Sequence, residues 1–391
     1  MTPPQLARRM SDIQPFHVME LLRRARELEA AGRDIIHMEV GEPDFPTPQP
    51  VIEAANRFIA GGDVHYTSGL GLPRLREAIS DFYRTRFNAE VSPERIIITA
   101  GASGALMLAL AATTDPGDEW LLPDPGYPSN RHLIRAFEGV ATGLPVDATT
   151  RYQPTPDQTD AVWNARTRGL MVATPSNPTG TVLTSTELLA LHRSTTAHGG
   201  LLLVDEIYQG LTYGIESETA LSQGELATAD NVFVVNSFSK YFGMTGWRLG
   251  WLVAPQAYVR EIEKLAQHFF ISPSTPAQHA ALAAFEPATL EILEARRLEF
   301  GHRRDALVPA LRELGFKIAT EPQGAFYIYA DVSGLAPDSE QLARRLIEEA
   351  GVAATPGLDF GHHLPRQHLR IAYTTRSERL LEAVARMRTV L

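Results

Sequence analysis

Between residues 96 and 253 the chain alternates short, continuously apolar runs with stretches of helical periodicity, and few folds accept that alternation. The runs at 96–99, 120–122, 169–173, 201–204, 232–235 and 249–253 are apolar at nearly every position, not at every second one. A strand that is apolar on both sides must be covered on both faces. Helices read near 103–112, 129–138, 185–197 and 256–269 supply that cover. The fold class is therefore α/β, with a mostly parallel central sheet and helices on both faces. Ligands in such sheets bind beyond the carboxyl ends of the strands. Side chains just past each run are the candidates for function.

The flanking segments have a different texture. An amphipathic helix over 16–31 is stopped by Gly32, and a short strand follows at 35–40. Gly41-Glu42-Pro43-Asp44-Phe45-Pro46-Thr47-Pro48 is a turn-rich junction. Helices are expected at 49–60 and 73–87. From about 286 a charged helix (287–314) precedes apolar runs at 315–318, 324–329 and 369–372, with helices near 338–350 and 377–390. This pattern predicts a large domain over 46–285 and a smaller α+β domain built from 1–45 and 286–391. A length of 391 residues is enough for both. The net charge of −10 argues against nucleic-acid and anionic-membrane partners. The absence of cysteine excludes disulfides and thiolate chemistry. No apolar run approaches about twenty residues, and the N-terminus lacks a signal-peptide core, so the expected location is cytoplasmic.

The densest cluster of candidates follows the run at 232–235. It reads Asn236-Ser237-Phe238-Ser239-Lys240-Tyr241-Phe242-Gly243-Met244-Thr245-Gly246-Trp247-Arg248-Leu249-Gly250. A lysine in an apolar site can hold a neutral amine and condense with an aldehyde. Ser237 and Arg248, flanking a glycine-rich stretch, can grip a phosphate. A phosphorylated aldehyde cofactor would use both. An isolated lysine reads as solvated, and it is the other strand ends that change the reading.

At Ala100-Gly101-Ala102-Ser103-Gly104 a strand turns into a helix, whose free N–H groups and dipole converge on an anion. Ser103 either adds a hydroxyl there or caps the helix. Asp205 ends the run at 201–204, with Tyr208 three residues on. A buried carboxylate needs a positive partner, such as a protonated pyridine nitrogen; otherwise Asp205 caps the next helix. In Asn177-Pro178-Thr179-Gly180 a tight turn projects the Asn177 amide. Tyr127, in a stiff proline-rich loop, can stack on a planar ring or fill the core. Arg370 can grip a carboxylate with two parallel hydrogen bonds or join a surface ion pair. Gly69-Leu70-Gly71 lacks the third glycine of a dinucleotide fingerprint, and no Walker-type loop occurs. His362, His363 and His368 lack metal-ligand spacing and read as loop residues, so no metal is expected.

Together and in this order, the motifs resemble the fold-type I pyridoxal-phosphate enzymes, specifically the class I/II aminotransferases, over about residues 35–370. SFSKYFGMTGWRLG is the most specific string; NPTG, DEIY and HLRIAY support it. The segments at 40–45 and 65–69 are similar to the subgroup of aspartate and aromatic aminotransferases. The resemblance implies pyridoxal 5'-phosphate as cofactor and a homodimer with shared active sites. It implies that Lys240 condenses with the cofactor aldehyde and later carries the proton, while Asp205 pairs with the ring nitrogen. Tyr208 and Asn177 would meet the ring oxygen, and Tyr127 the ring face. Arg248, Ser237, Ser103 and the Gly101-Ala102 turn would hold the phosphate, with Tyr66 reaching the phosphate of the neighbouring subunit. Arg370 and Asn177, with the Gly41 backbone nearby, would bind the substrate carboxylate.

The implied reaction is ping-pong transfer of the α-amino group of an L-amino acid to a 2-oxo acid. No second arginine matches a distal carboxylate, and Phe16, His17, Tyr127 and Phe360 are expected to line the pocket. A neutral or aromatic amino acid is therefore expected. The nearest rival is a β-elimination lyase or another fold-type I enzyme acting on an amino acid. A cofactor-binding transcription regulator would need a DNA-binding extension, and the acidic chain starts its domain near residue 16.

Overall fold

Alternate residues of one strand explain why the apolar runs become a sheet buried on both sides. In a computed structural model, which describes residues 5–391, the chain opens with helix α1 (His17–Ala30) and strand β1 (Ile36–His37), then helices α2 (Gln49–Ala60) and α3 (Pro73–Phe87). Strand and helix then alternate through β2 (Ile96–Thr99), α4 (Gly101–Thr113), β3 (Glu119–Asp124), α5 (Pro128–Ala136), β4 (Val140–Pro145), α6 (Pro156–Val162), β5 (Thr167–Ala173), α7 (Ser185–Ala197), β6 (Leu201–Asp205), α8 (Gly224–Thr228), β7 (Val232–Ser237) and β8 (Gly250–Val253). Val232 and Val234 of β7 face one hydrophobic core, and Phe233 and Val235 face the other. Each core is the apolar side of a helical layer, as a doubly covered sheet requires.

The sheet order is β2-β8-β7-β6-β5-β3-β4. The pairings among β3 to β7 are parallel. Strand β8 is antiparallel to both of its neighbours. The segment 238–249 that joins β7 to β8 folds back on itself, with Phe238 N–H donating to Leu249 O and Met244 N–H to Phe238 O, both at 3.0 Å. It carries no covering helix of the kind a parallel crossover uses. Lys240 and Arg248 lie on this return.

Downstream come α9 (Gln256–Phe270), α10 (Thr275–Leu282), α11 (Pro287–Glu313), β9 (Tyr327–Asp331), α12 (Ser339–Arg345), β10 (Val352–Ala353), β11 (Thr355–Pro356), β12 (His368–Ala372) and α13 (Ser377–Met387). Strands β11, β12 and β9 form an antiparallel sheet. Strand β1 pairs in parallel with β10, which ties the N-terminal segment to the last third of the chain.

Several local expectations are corrected. The strand expected at 35–40 pairs for only two residues. Beyond it Met38 O accepts from Ala372 N–H, and the next carbonyls are taken by side chains: Glu39 O accepts from Arg370 Nη2 and from Thr355 Oγ1, Val40 O from Thr374 Oγ1, and Gly41 O from Lys240 Nζ. Helix α4 begins at Gly101, with Ala100 as N-cap, so Ser103 lies in the first turn and is not the cap. His368 opens β12 and is not a loop residue. The run at 315–318 makes one bridge, Lys317 to Asp331. The helix expected at 338–350 is α12 followed by a π turn over Leu346–Ala350. Among the described residues, no helix is long and apolar enough to cross a membrane.

Candidate active site

The ends of β5 and β6, the return after β7, the start of α4 and one face of β12 open onto a single cavity of about 300 Å³. That is the lower end of the usual range for small-molecule sites. Lys240 enters it from the return loop. Beneath the lysine, Phe238 packs on Phe242 and Trp251 with ring centroids 5.0 Å apart in each case. Burying three such rings fixes the loop with about 1.5–3 kcal/mol each. Lys240 Nζ donates to Gly41 O at 2.7 Å and lies 5.9 Å and 5.8 Å from the rings of Tyr208 and Phe326. Burial pushes its pKa down to about 8; Glu42 opposes the shift and the Arg370 and Arg248 charges assist it. A usable fraction of neutral amine therefore exists near pH 7.

Asp205 ends β6 and is 3% exposed. Its Oδ1 accepts one hydrogen bond, from Ile207 N–H at 3.1 Å. Burial pushes its pKa up to about 6, offset only by that backbone bond. It is a carboxylate set where a cation would be stabilised. Across the cavity Arg370, 5% exposed, presents the opposite case. Its hydrogen bonds go to neutral oxygens: Asn177 Oδ1 at 3.0 Å, Glu39 O, and Thr355 Oγ1 at 3.4 Å. Its Nε is buried without a partner. The guanidinium rests over the rings of Tyr327 and Phe360, at 4.5 Å and 4.8 Å. A buried cation so placed favours an incoming anion.

The opening turn of α4 forms an anion cradle. Ala100 offers no side-chain cap, so protein side chains leave its first N–H groups free. Gly101 adopts a φ of +71°, and a Cβ there would stand 2.8 Å from Arg248 Nη2. Glycine lets the backbone and that guanidinium approach each other. Arg248 Nη1 donates to Thr245 O at 3.0 Å. Ala102, Ser103, Tyr127, Asn177, Asp205, Tyr208, Lys240, Arg248 and Arg370 all line the cavity, and so does Gly41.

Four expected residues do not line the cavity; Gly101 sits behind it against Arg248, and the other three stand apart. Ser237 is buried behind the wall; its hydroxyl lies 2.9 Å from Ser239 Oγ and 3.1 Å from Leu249 O, and Ser239, not Ser237, lines the cavity. Tyr66 is 79% exposed and outside the cavity. His17 lies on a neighbouring groove, and its N–H donates to Asp359 Oδ1 at 2.7 Å. Phe16, Tyr127 and Phe360 do line the cavity. Sequence reasoning missed Ser239, Thr245, Glu39 and Tyr327. The only signal for Tyr327 was its place in an apolar run. Among the described residues, no group of three or more His, Cys, Asp or Glu side chains could hold a metal ion.

The same fold and related sequences occur in proteins of known kind. A family model described as aminotransferase class I and II matches residues 33–387. The chain is similar to valine–pyruvate aminotransferase of Mycobacterium tuberculosis, 36% identical over 96% of each protein. It is similar to aspartate/prephenate aminotransferase of Thermus thermophilus, 36% identical over 99% of this chain and 98% of that protein. A crystal structure of an aminotransferase from Mycobacterium tuberculosis superposes with a TM-score of 0.94, at 35% identity, covering 99% of this chain and 98% of that one. With its α/β fold, its lysine-bearing return loop and these relatives, the chain belongs to the class I and II aminotransferase family, in the subgroup that resembles aspartate aminotransferase.

Proposed function

We propose that the chain is a pyridoxal 5'-phosphate-dependent aminotransferase that moves the α-amino group of a neutral or aromatic L-amino acid to a 2-oxo acid in two half-reactions. One observation carries this: an amine of lowered pKa shares a cavity with Asp205, Arg248 and Arg370, whose hydrogen-bond partners are neutral. Pyridoxal 5'-phosphate, when bound, supplies an aldehyde that condenses with amines and a ring that takes up electrons from the amino-acid α-carbon.

The residues fit that group. Asp205 offers the negative charge that a protonated ring nitrogen needs, and a pair at about 4 Å is worth about 1–4 kcal/mol at effective dielectrics from 80 to 20. The first-turn N–H groups of α4, Ser103, Arg248 and Ser239, which Ser237 supports from behind, offer donors to a phosphate. Tyr127 flanks the cavity as a ring platform, and Tyr208 and Asn177 offer donors to the ring oxygen. Arg370 and Asn177 hold the substrate carboxylate, with the Gly41 backbone nearby. Lys240 Nζ, once freed, moves the α-proton, a transfer that contributes roughly 10²–10⁴-fold.

The side-chain pocket is walled by Phe16, Val18, Met19 and Leu22 from the N-terminal segment, together with Phe360. Arg248 and Arg370 are the arginines among the described lining residues, and both have tasks already. An apolar amino acid suits this wall, and the relative named for valine and pyruvate supports that class. Residues 46–285 form the cofactor-bearing unit in this reading, and 1–45 with 286–391 form the unit that brings Arg370. Tyr66, exposed and away from its own cavity, would serve the phosphate of a second subunit in a homodimer.

Initial rates with each common amino acid and several 2-oxo acids test the proposal. Parallel double-reciprocal lines, a 2-oxo acid product and a preference for apolar over acidic donors are expected. Release of ammonia with pyruvate would favour elimination instead. The same preparation should sediment as a dimer; a fully active monomer would remove the shared site.

A further inference from the structure

We infer that Tyr327 is a positioning residue for the reaction, its hydroxyl donating to Tyr208 and its ring seating Arg370. This rests on the cofactor reading above. Tyr327 opens β9 and is 1% exposed. It joins three parts of the site that come from distant segments of the chain. Its Oη lies 2.8 Å from Tyr208 Oη, just past the end of β6. Its ring lies 4.5 Å beneath the Arg370 guanidinium on β12, the strand that β9 pairs with. A Cβ built on Gly41 would stand 1.8 Å from the Tyr327 hydroxyl, so that hydroxyl presses directly on the segment whose carbonyl receives Lys240 Nζ.

Counting protons gives the bond a direction. Each phenol has one proton, and between two hydroxyls 2.8 Å apart only one donates. Tyr208 and Tyr327 both line the cavity; in the cofactor reading Tyr208 has the ring oxygen to donate to, so its lone pair accepts the hydrogen bond from Tyr327. A hydroxyl that accepts one hydrogen bond becomes a better donor in the next. Tyr327 thereby strengthens the donation from Tyr208, which disperses negative charge on the ring oxygen. That charge would otherwise favour the proton that the Lys240 nitrogen carries while joined to the cofactor. Loss of the Tyr327 hydroxyl therefore leaves that proton bound to higher pH. The ring acts separately. An aromatic face under a guanidinium holds it electrostatically, which matters for an Arg370 whose other partners are neutral oxygens.

Two variants separate the two tasks. In Tyr327→Phe the ring remains and the hydroxyl goes. The pH midpoint of the cofactor's visible absorption band should rise by about 0.5 unit, with KM for amino acids unchanged within about twofold. In Tyr327→Leu the ring goes as well. There kcat/KM for amino acids should fall about tenfold further, while a neutral amine without a carboxylate is little affected. A purely structural role would lower the Tm of both variants and leave the midpoint where it was. A Tyr327→Phe midpoint equal to that of the unaltered protein overturns the hydroxyl's role, and equal carboxylate binding in Tyr327→Leu overturns the ring's. If the leucine variant does not fold, the phenylalanine titration alone decides. An unaltered protein that shows no visible band with pyridoxal 5'-phosphate would remove the cofactor reading, and this proposal with it.

Discussion

Arg370 is the residue whose situation most clearly asks for a ligand. It is buried, it carries a full charge, and it donates only to neutral oxygens. A substrate carboxylate would supply the missing charge through two charge-assisted hydrogen bonds, each worth about 1.5–3 kcal/mol. Arg370→Ala should therefore lower kcat/KM for amino acids by roughly 10²–10⁴-fold, measured against a neutral amine that loses less than about tenfold. Equal losses for both substrates would contradict the assignment. Lys240, Asp205, Asn177 and Arg370 were legible in the sequence because each sits in a recognisable string at or next to a strand. Tyr327, Ser239 and Glu39 were not. Tyr327 acts through its contacts with Tyr208, in the turn after β6, and Arg370 on β12, and nothing in its neighbours along the chain marks it.

Among the elements, α1 shows how a wall of the pocket depends on a remote group. The residue before it, Phe16, offers no side-chain cap. Instead, Asp359 accepts from the N–H groups of His17 at 2.7 Å and Val18 at 2.9 Å. A similar clamp holds the following loop, where Asp124 accepts from His362 N–H at 2.9 Å and His363 N–H at 3.2 Å. Removing a helix cap costs about 1 kcal/mol. Asp359→Ala should speed hydrogen exchange at the amides of residues 17–22 and lower kcat/KM for bulky apolar amino acids more than for alanine. Unchanged exchange there would sink the idea. The periodicity of α1 was legible, but its cap was not, because the cap lies some 340 residues away. Helix α6 is the reverse case. Its capping box, Thr155 with Gln158, is written in the sequence, but seven residues give too little periodicity to announce a helix. Strand β4 escaped notice because it is an edge strand with mostly solvent-facing residues, and Gly143 and Pro145 interrupt it. Helix α10 has a Ser274 cap and an early proline, yet its small residues make a weak apolar stripe. Strand β11 is two residues long.

At the level of the whole molecule, the alternation of apolar runs and helices foretold the α/β sheet with little ambiguity, since strands apolar on both sides have few alternatives. The antiparallel course of β8 was not foretold, because nothing in the 238–249 segment announces that it folds back on itself. The cavity is assembled across the chain: the 39–41 segment, the start of α4, the ends of β5 and β6, the β7–β8 return and the β9–β12 sheet each bring one part. In the proposed reading, the lysine on the return loop is what makes it a reaction site. The sequence contains three lysines, Lys240, Lys264 and Lys317, and the other two have side chains 54% and 63% exposed. Borohydride reduction of the protein loaded with pyridoxal 5'-phosphate, followed by peptide mapping, therefore has a clear outcome. The expected result is one labelled peptide, containing Lys240, and no label in Lys240→Ala protein. Label on Lys264 or Lys317 alone, or none at all, would contradict the assignment of this site.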